Sequence, residues 1–345
     1  MTLTAVSLFA GVGGFDLAMQ RNGIKTVATV EIDKHARGVL QRHFPDAQHF
    51  EDVKNVTGQQ LRDAGLVPER GIITGGFPCQ DLSVAGKRAG LAGGRSGLFW
   101  EIVRLADELQ PKYLVLENVP GLLSSNAGRD FGTVLGALVE LGYGVAYSIL
   151  DAQHFGVAQR RRRVFIVGCL GDDGRSPAEI LAVPEGLRGD FETGAEAWEE
   201  PTETVAVGFR SGSHADYEQG VGTLRASGGD LHGGSETLIV PIQPTLMRAV
   251  AHGEYVKSTE AATLHERDHK AGTVDVVVTQ ATVRRLTPVE CERLQGFPDG
   301  WTEFGIGDKP QADSHRYKQM GNAVCVNVVE WIMARLVASN QGDTH

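Results

Sequence analysis

The chain has 345 residues, enough for one large domain with a substantial core and a smaller one beside it. Its 41% hydrophobic and 22% charged residues are those of an ordinary globular protein, and no stretch reaches the roughly 18 apolar residues that a membrane helix needs. The formal net charge of -10 argues mildly against a nucleic-acid partner, unless the basic residues are gathered locally. Cys79, Cys169, Cys291 and Cys325 are far apart and form no CxxC pair. Neither a disulfide framework nor a metal site is therefore expected, and a reducing compartment is. The first apolar run is cut by Gly11, Gly13, Gly14 and Asp16 with no basic segment before it, which is not a signal-peptide pattern.

Residues 4–9 read as a strand that runs into Ala10-Gly11-Val12-Gly13-Gly14, and a helix follows with Phe15, Leu17, Ala18 and Met19 on its apolar face. Residues 25–31 read as a second strand, and Asp33 is placed to cap a helix over 34–43. Strand, glycine turn, helix and strand make a βαβ unit. Gly71-Ile72-Ile73-Thr74 reads as the end of another buried strand, and Gly75-Gly76-Phe77-Pro78-Cys79-Gln80 follows it. Further strands are expected at 113–116, 145–150 and 164–167, with helices at 98–109 and 131–141. This alternation implies an α/β fold with a mostly parallel sheet and helices on both faces.

The character changes after residue 170. Residues 171–204 are acidic and irregular, and 205–278 are rich in Gly, Ser, Thr and His with short β-like runs, which reads as a smaller, loop-rich β domain. An internal echo is visible there: Tyr217, Thr223-Leu224 and Leu238-Ile239-Val240 are followed about 40 residues on by Tyr255, Thr263-Leu264 and Val276-Val277-Val278. So few matches leave a repeat and a coincidence both open. Thr287-Pro288-Val289-Glu290 starts a short helix that stops before Gly296. A last helix over 323–336 carries Val324, Val328, Val329, Ile332 and Leu336, an apolar face that must bury against the first domain.

Five constellations carry chemistry. The glycine turn opens a helix, where backbone N–H groups and the dipole favour a negative group, and Glu31 ends the next strand where a carboxylate binds ribose hydroxyls. A nucleoside-containing cofactor follows, although the pattern is not Gly-x-Gly-x-x-Gly, which weakens the case for a dinucleotide. Cys79 sits past a strand end, where open α/β sheets place their chemistry, although an isolated cysteine is more often a small buried hydrophobe. Glu117 closes another strand on the same sheet edge, where burial would raise its pKa and make it a proton donor. In Gln159-Arg160-Arg161-Arg162-Arg163 alternate residues share a face, so Arg161 and Arg163 point one way and Arg160 and Arg162 the other. Between Gln80 and Gly97, Ser83, Lys87, Arg88 and Arg95 among many glycines look like a lid that meets an anionic ligand.

These motifs, with Arg285-Leu286-Thr287-Pro288-Val289-Glu290-Cys291 and Gln319-Met320-Gly321-Asn322-Ala323-Val324, resemble in order and spacing those of the DNA cytosine-5 methyltransferase family. The resemblance covers about 1–170 and 283–337. It implies a Rossmann-like class I methyltransferase fold, with a catalytic domain made of 1–170 and 283–338, a target-recognition domain over 171–282 and a flexible tail over 339–345. It also implies S-adenosyl-L-methionine as methyl donor, no metal, and a flipped-out cytosine in double-stranded DNA as acceptor. Cys79 would be the thiolate that attacks carbon 6, Glu117 would hold or protonate ring N3, and Arg163, with Arg161 less directly, would bind the O2 edge. Phe9, Gly11, Gly13, Gly14, Glu31, Ile32, Asp52, Val53, Pro78, Leu98, Asn322 and Val324 would line the cofactor site.

Gln80, Ser83, Lys87, Arg88, Arg95, Arg160 and Arg162 would meet DNA, with phosphate contacts also from Arg284 and Arg285, so binding should depend strongly on salt despite the net charge. A cytoplasmic monomer without a membrane partner is expected, in restriction-modification or in phage or mobile-element self-protection, with a restriction endonuclease encoded separately. If the internal echo is a repeat, two recognition units would read two sites. The competing readings are a tRNA cytosine-5 methyltransferase, a non-catalytic DNA-binding regulator of the same fold, and a nicotinamide oxidoreductase, which leaves Pro78-Cys79 and the arginine run without a role.

Overall fold

The computed structural model describes residues 2–77, 97–172, 174–183, 284–307 and 309–342, together with strands between 184 and 283. The first part alternates as the sequence implies: β1 (Thr4–Leu8), α1 (Gly14–Arg21), β2 (Lys25–Val30), α2 (Lys34–His43), β3 (Gln48–Phe50), α3 (Gly58–Asp63), β4 (Gly71–Gly76), α4 (Leu98–Leu109), β5 (Tyr113–Asn118), α5 (Arg129–Glu140), β6 (Tyr143–Asp151) and β7 (Arg162–Leu170). These strands form one sheet in the order β3-β2-β1-β4-β5-β7-β6. All neighbours are parallel except at β7, which is antiparallel to both β5 and β6. This is the class I methyltransferase sheet.

The sheet is buried on both faces, and the period of two decides which residue goes where. Ala5, Ile72 and Val115 face α1, α2 and the end of the chain, whereas Val6, Ile73, Leu114 and Leu116 face α3, α4 and α5. Full burial of an Ile or Leu contributes about 1.5–3 kcal/mol, so these runs dominate the stability of the sheet. Local signals hold the turns. Asp33 accepts from the His35 N–H at 2.9 Å to cap α2, and Thr57 and Gln60 form a capping box on α3.

Past the sheet, α6 (Arg175–Leu181) falls in the stretch expected to be irregular, and it buries Ile180 and Leu181 in the core. Next come β8 (Ala206–Ser211), β9 (Tyr217–Gln219), β10 (Thr237–Pro241), β11 (Thr245–Ala251), β12 (Glu254–Ser258), β13 (Val276–Thr279) and β14 (Arg284–Arg285). They form two antiparallel sheets, β14-β10-β8-β9 and β12-β11-β13. The chain then returns through α7 (Pro288–Leu294), α8 (Asp313–Asn322) and α9 (Val326–Gly342). Thr287 and Glu290 form the expected capping box on α7.

The last helix begins later and runs further than the sequence suggests, so that residues 339–342, expected in a tail, are helical. Val328, Val329, Ile332 and Leu336 are fully buried as expected, and α9 packs on α1. The short strand β3 and the helices α3 and α8 have no counterpart in the sequence reading. α8 is polar, and a buried carboxylate helps to hold it: Glu292 Oε1 takes Arg316 Nη2 at 3.0 Å and the Thr302 N–H at 2.9 Å, and Glu292 Oε2 takes the Gly300 N–H at 2.7 Å.

Candidate active site

Parallel strands all end on one edge, and the register puts the candidate residues there together. Leu8 lies opposite Val30 and Gly75, Val30 opposite Phe50, and Gly76 opposite Glu117. The residues that follow these strands therefore share one crevice, the place where open α/β sheets bind ligands. The reversed strand β7 begins where its neighbour ends, with Asn118 opposite Val164. Its direction brings the arginine run to the same edge.

Arg163 Nε lies 3.0 Å from Glu117 Oε1, and the two side chains are only 14% and 13% exposed. Burial pushes the Glu117 carboxyl above its ordinary value, and the positive charges of Arg161 and Arg163 act against that rise. Gly76 gives the carboxylate room, since a Cβ there would stand 3.2 Å from Glu117 Oε2. The next residue, Asn118, donates from Nδ2 to the Phe77 carbonyl at 2.8 Å. Phe77 packs its ring on Phe99, with centroids 5.1 Å apart. The backbone that leads to Pro78 and Cys79 is thus tied to β5. Pro78, Cys79, Gln80, Ser83, Lys87, Arg88 and Arg95 lie outside the described residues. Cys169, Cys291 and Cys325 are all buried, and desolvation pushes the Cys291 thiol up to about 12.

The arginine run alternates as its spacing implies. Arg160 and Arg162 are exposed, and Arg161 and Arg163 turn inward. Arg161 is 3% exposed, and burial brings its pKa down to about 10. Its Nη2 donates to the Ala323 carbonyl at 2.7 Å, and both terminal nitrogens lie 3.4 Å from the Gly321 carbonyl. The structure therefore seats Arg161 under the turn that carries Asn322, while its charge still reaches Glu117.

On the other side of the crevice, Phe9, Gly11 and Gly13 all have positive φ, at 54°, 56° and 87°. Glu31 accepts from the Gly11 N–H and from the Asp33 N–H, both at 2.8 Å, and desolvation pushes its carboxyl above the ordinary range. Beside it Ile32 is 69% exposed, an apolar face held open to solvent. A Cβ on Gly11 would meet nothing within 4 Å. Open space over the turn, an apolar face and a carboxylate together fit a nucleoside. Asp52 accepts from the Lys54 N–H at 3.0 Å and caps a turn that buries Val53. Leu98 opens α4.

The end of the chain closes this pocket. A Cβ on Gly14 would stand 2.8 Å from Val324 Cγ1, so the helix start and the Val324 segment are in contact. Trp301 Nε1 donates to the Val12 carbonyl at 2.8 Å, and Lys318 Nζ meets Asp33 Oδ2 at 2.8 Å. Asn322, the last residue of α8, is exposed next to this contact.

The sequence model of the C-5 cytosine-specific DNA methylases matches residues 3–338. The chain belongs to this family. It is a DNA cytosine-5 methyltransferase of the type that uses S-adenosylmethionine. The methylase is similar to the type II methyltransferase M.HpaII of Haemophilus parainfluenzae, with 32% identity over 332 residues that cover 95% of this chain and 87% of the relative. It is also similar to M.NlaX of Neisseria lactamica, with 30% identity over 341 residues, 97% of this chain and 96% of the relative. Among solved structures it superposes on the methyltransferase EhMeth of Entamoeba histolytica with a TM-score of 0.62 at 15% identity, covering 100% and 99% of the two chains. At that identity the likeness is one of fold.

Several residues that shape the site had no role in the sequence reading of the methylase. Asn118 stood inside the quoted Glu117-Asn118-Val119 motif, and its bond to Phe77 is a contact across two strands. Arg37 donates from Nη1 to the carbonyls of Glu31 and Ile32, at 2.7 and 2.9 Å, and so fixes the turn that presents both. Trp301 and Lys318 reach Val12 and Asp33 from almost 300 residues away, a distance at which only the fold identifies partners.

Proposed function

We propose that the methylase acts through a covalent adduct between Cys79 and carbon 6 of a cytosine flipped out of duplex DNA. The buried pair of Glu117 and Arg163 beside Gly76 carries this reading. Attack by the Cys79 thiolate pushes an electron pair towards ring N3. Glu117, held at a raised pKa, donates a proton there, so charge does not build up on the ring. Arg163 orients Glu117 and holds the O2 edge. S-adenosylmethionine supplies the electrophilic methyl that carbon 5 accepts. Loss of the carbon 5 proton, with return of the N3 proton to Glu117, then expels the Cys79 thiolate. Cys79 supports the nucleophile role because the other three cysteines are buried.

Phe9, Gly11, Gly13 and Gly14 would face the methionine end of the cofactor, Glu31 the ribose, Ile32 the adenine face and Asp52 its edge. Val53, Pro78, Leu98, Asn322 and Val324 would complete the pocket. Gln80, Ser83, Lys87, Arg88, Arg95, Arg160 and Arg162 would meet the DNA, and the strands between 206 and 279 would choose the site. A cytoplasmic monomer in restriction-modification or in phage or mobile-element self-protection, with a separately encoded endonuclease, is the setting we infer, on the similarity to type II methyltransferases.

Duplex DNA in which the target cytosine carries fluorine at carbon 5 tests the mechanism. The fluorine cannot leave as a proton, so the adduct should persist and withstand denaturation. Cys79→Ala should form none, and methyl transfer by that variant would overturn the nucleophile assignment. Transfer to tRNA in preference to duplex DNA would overturn the acceptor.

A further inference from the structure

The two small antiparallel sheets repeat one design. In the first, β8 is central, with β9 on one side and β10 on the other; in the second, β11 is central, with β12 and β13 beside it. In both, the first strand in the sequence takes the middle, and every pairing is antiparallel. The registers agree as well. Ser211, Arg210 and Phe209 lie opposite Tyr217, Glu218 and Gln219. Ala249, Arg248 and Met247 lie opposite Tyr255, Val256 and Lys257. Each position of the first hairpin, moved 38 residues along the chain, is the matching position of the second.

The third strands agree to within one residue, with Phe209 opposite Leu238 and Met247 opposite Val277. At the same spacing the sequence repeats Arg210 as Arg248, His214 as His252 and Tyr217 as Tyr255. Shared strand order is common in small sheets. Shared register, at the spacing where the residues also match, is what a duplicated segment produces.

The two copies are not equally placed. β14 pairs with β10, with Ile239 opposite Arg284 and Leu238 opposite Arg285, and leads directly into the capped start of α7. The first copy is therefore joined in one sheet to the strand that re-enters the catalytic domain. The second copy is an insertion between two strands that are already neighbours.

We propose that residues 206–279 are a tandem duplication of one DNA-reading unit, with Arg210 and Arg248 in equivalent places, and that the two units contribute separately to the choice of target site. The inference rests on the reading of the chain as a DNA cytosine methylase. The occupant is duplex DNA, whose major groove admits β-ribbons and offers guanine edges to arginine.

The neighbouring strands supply the test. Replacing residues 240–283 with Asn-Gly would join β10 to β14 through a two-residue hairpin and remove the second unit together with Val240 and Pro241, the last two residues of β10. Methylated cytosines would be mapped at base resolution for the full chain, this variant, Arg210→Ala and Arg248→Ala, with binding of S-adenosylmethionine measured for each. A changed set of sites in the shortened variant is expected, either relaxed at some base positions or without one class of site. Arg248→Ala should lower discrimination at one of those same positions by roughly 5- to 150-fold, and Arg210→Ala at a different one. An unchanged set, or loss of all methylation with cofactor binding intact, would overturn the proposal. If the shortened variant fails to bind cofactor, the point variants decide: relaxation of the same base pair by both, or of none, overturns it. Absence of 5-methylcytosine with the full chain would instead overturn the activity beneath it.

Discussion

Glu117 and Arg163 meet at 3.0 Å because one strand of the sheet runs backwards. With β7 parallel to β5, the arginine run would begin at the opposite edge. The pairing leaves a carboxyl with a raised pKa beside a fixed positive charge, which is how a proton can be given to a ring nitrogen while the carbonyl next to it is held.

Glu117→Gln keeps the size of the side chain and removes the acid. Single-turnover methyl transfer should fall by about 10²- to 10⁴-fold, the usual share of general acid catalysis. DNA binding should change little. The rate of the unaltered enzyme should also decline as pH rises through the raised Glu117 pKa, and the variant should lack that limb. Equal rates in the two proteins would remove Glu117 from the chemistry.

Arg161 should matter to the cofactor. Its guanidinium holds the carbonyls of Gly321 and Ala323, which flank Asn322. Arg161→Met leaves those buried carbonyls short of donors, at about 1–3 kcal/mol. Calorimetry should show S-adenosylmethionine binding weakened by roughly 5- to 150-fold, whereas Arg163→Lys should bind it normally. Unaltered affinity in Arg161→Met would show that the turn holds itself.

Asp16 should make stability depend on pH. It is fully buried in α1, and desolvation raises its pKa from 3.8 to about 7. Thr26 Oγ1 donates to its Oδ1 at 3.1 Å, while Oδ2 has no hydrogen-bond partner. Between pH 4 and 7 the folded chain keeps the proton and the unfolded chain has lost it. The contribution is therefore complete below pH 4 and is lost as pH rises through 7, on the order of 4 kcal/mol in all. Asp16→Asn should flatten that part of the profile in denaturant titrations, and an unaltered slope would count against a buried, protonated Asp16.

Gly38 should tolerate no side chain. A Cβ there would stand 2.6 Å from the Gly305 carbonyl carbon and closer still to the Ile306 nitrogen, both backbone atoms that cannot swing aside. Gly38→Ala should cost about 1–3 kcal/mol and lower the melting temperature. An unaffected melting temperature would mean that the 305–306 segment can move off α2.

Much of the catalytic domain was legible because its strands are apolar on both faces and its helices carry caps. The runs at 25–31 and 113–116, and the helices at 34–43 and 98–109, stand where their residues put them. Glu117, Arg163, the glycine turn and Glu31 were legible as residues at strand ends. The antiparallel place of β7 was not, because an apolar strand reads the same in either direction. β3 is only three residues long. α8 is held by partners distant in the chain, Glu292 through Arg316 and Asp33 through Lys318, so its own ten residues carry little signal. The echo between Tyr217 and Val278 left repeat and coincidence open, because only the register, which the sequence does not carry, shows that β8 with β9 and β11 with β12 pair alike.

Trp301, Lys318 and Val324 touch Val12, Asp33 and Gly14 in the first thirty-odd residues, and all of the strands β8 to β13 lie between the two groups in the chain. During synthesis, a ribosome that has just released β13 has made the sheet with the α1 face still bare. That face is covered only when α9, the last helix of the chain, packs on α1. Truncation after β13 would therefore strip the α1 face of Val328, Val329, Ile332 and Leu336 and leave that half of the core open to water.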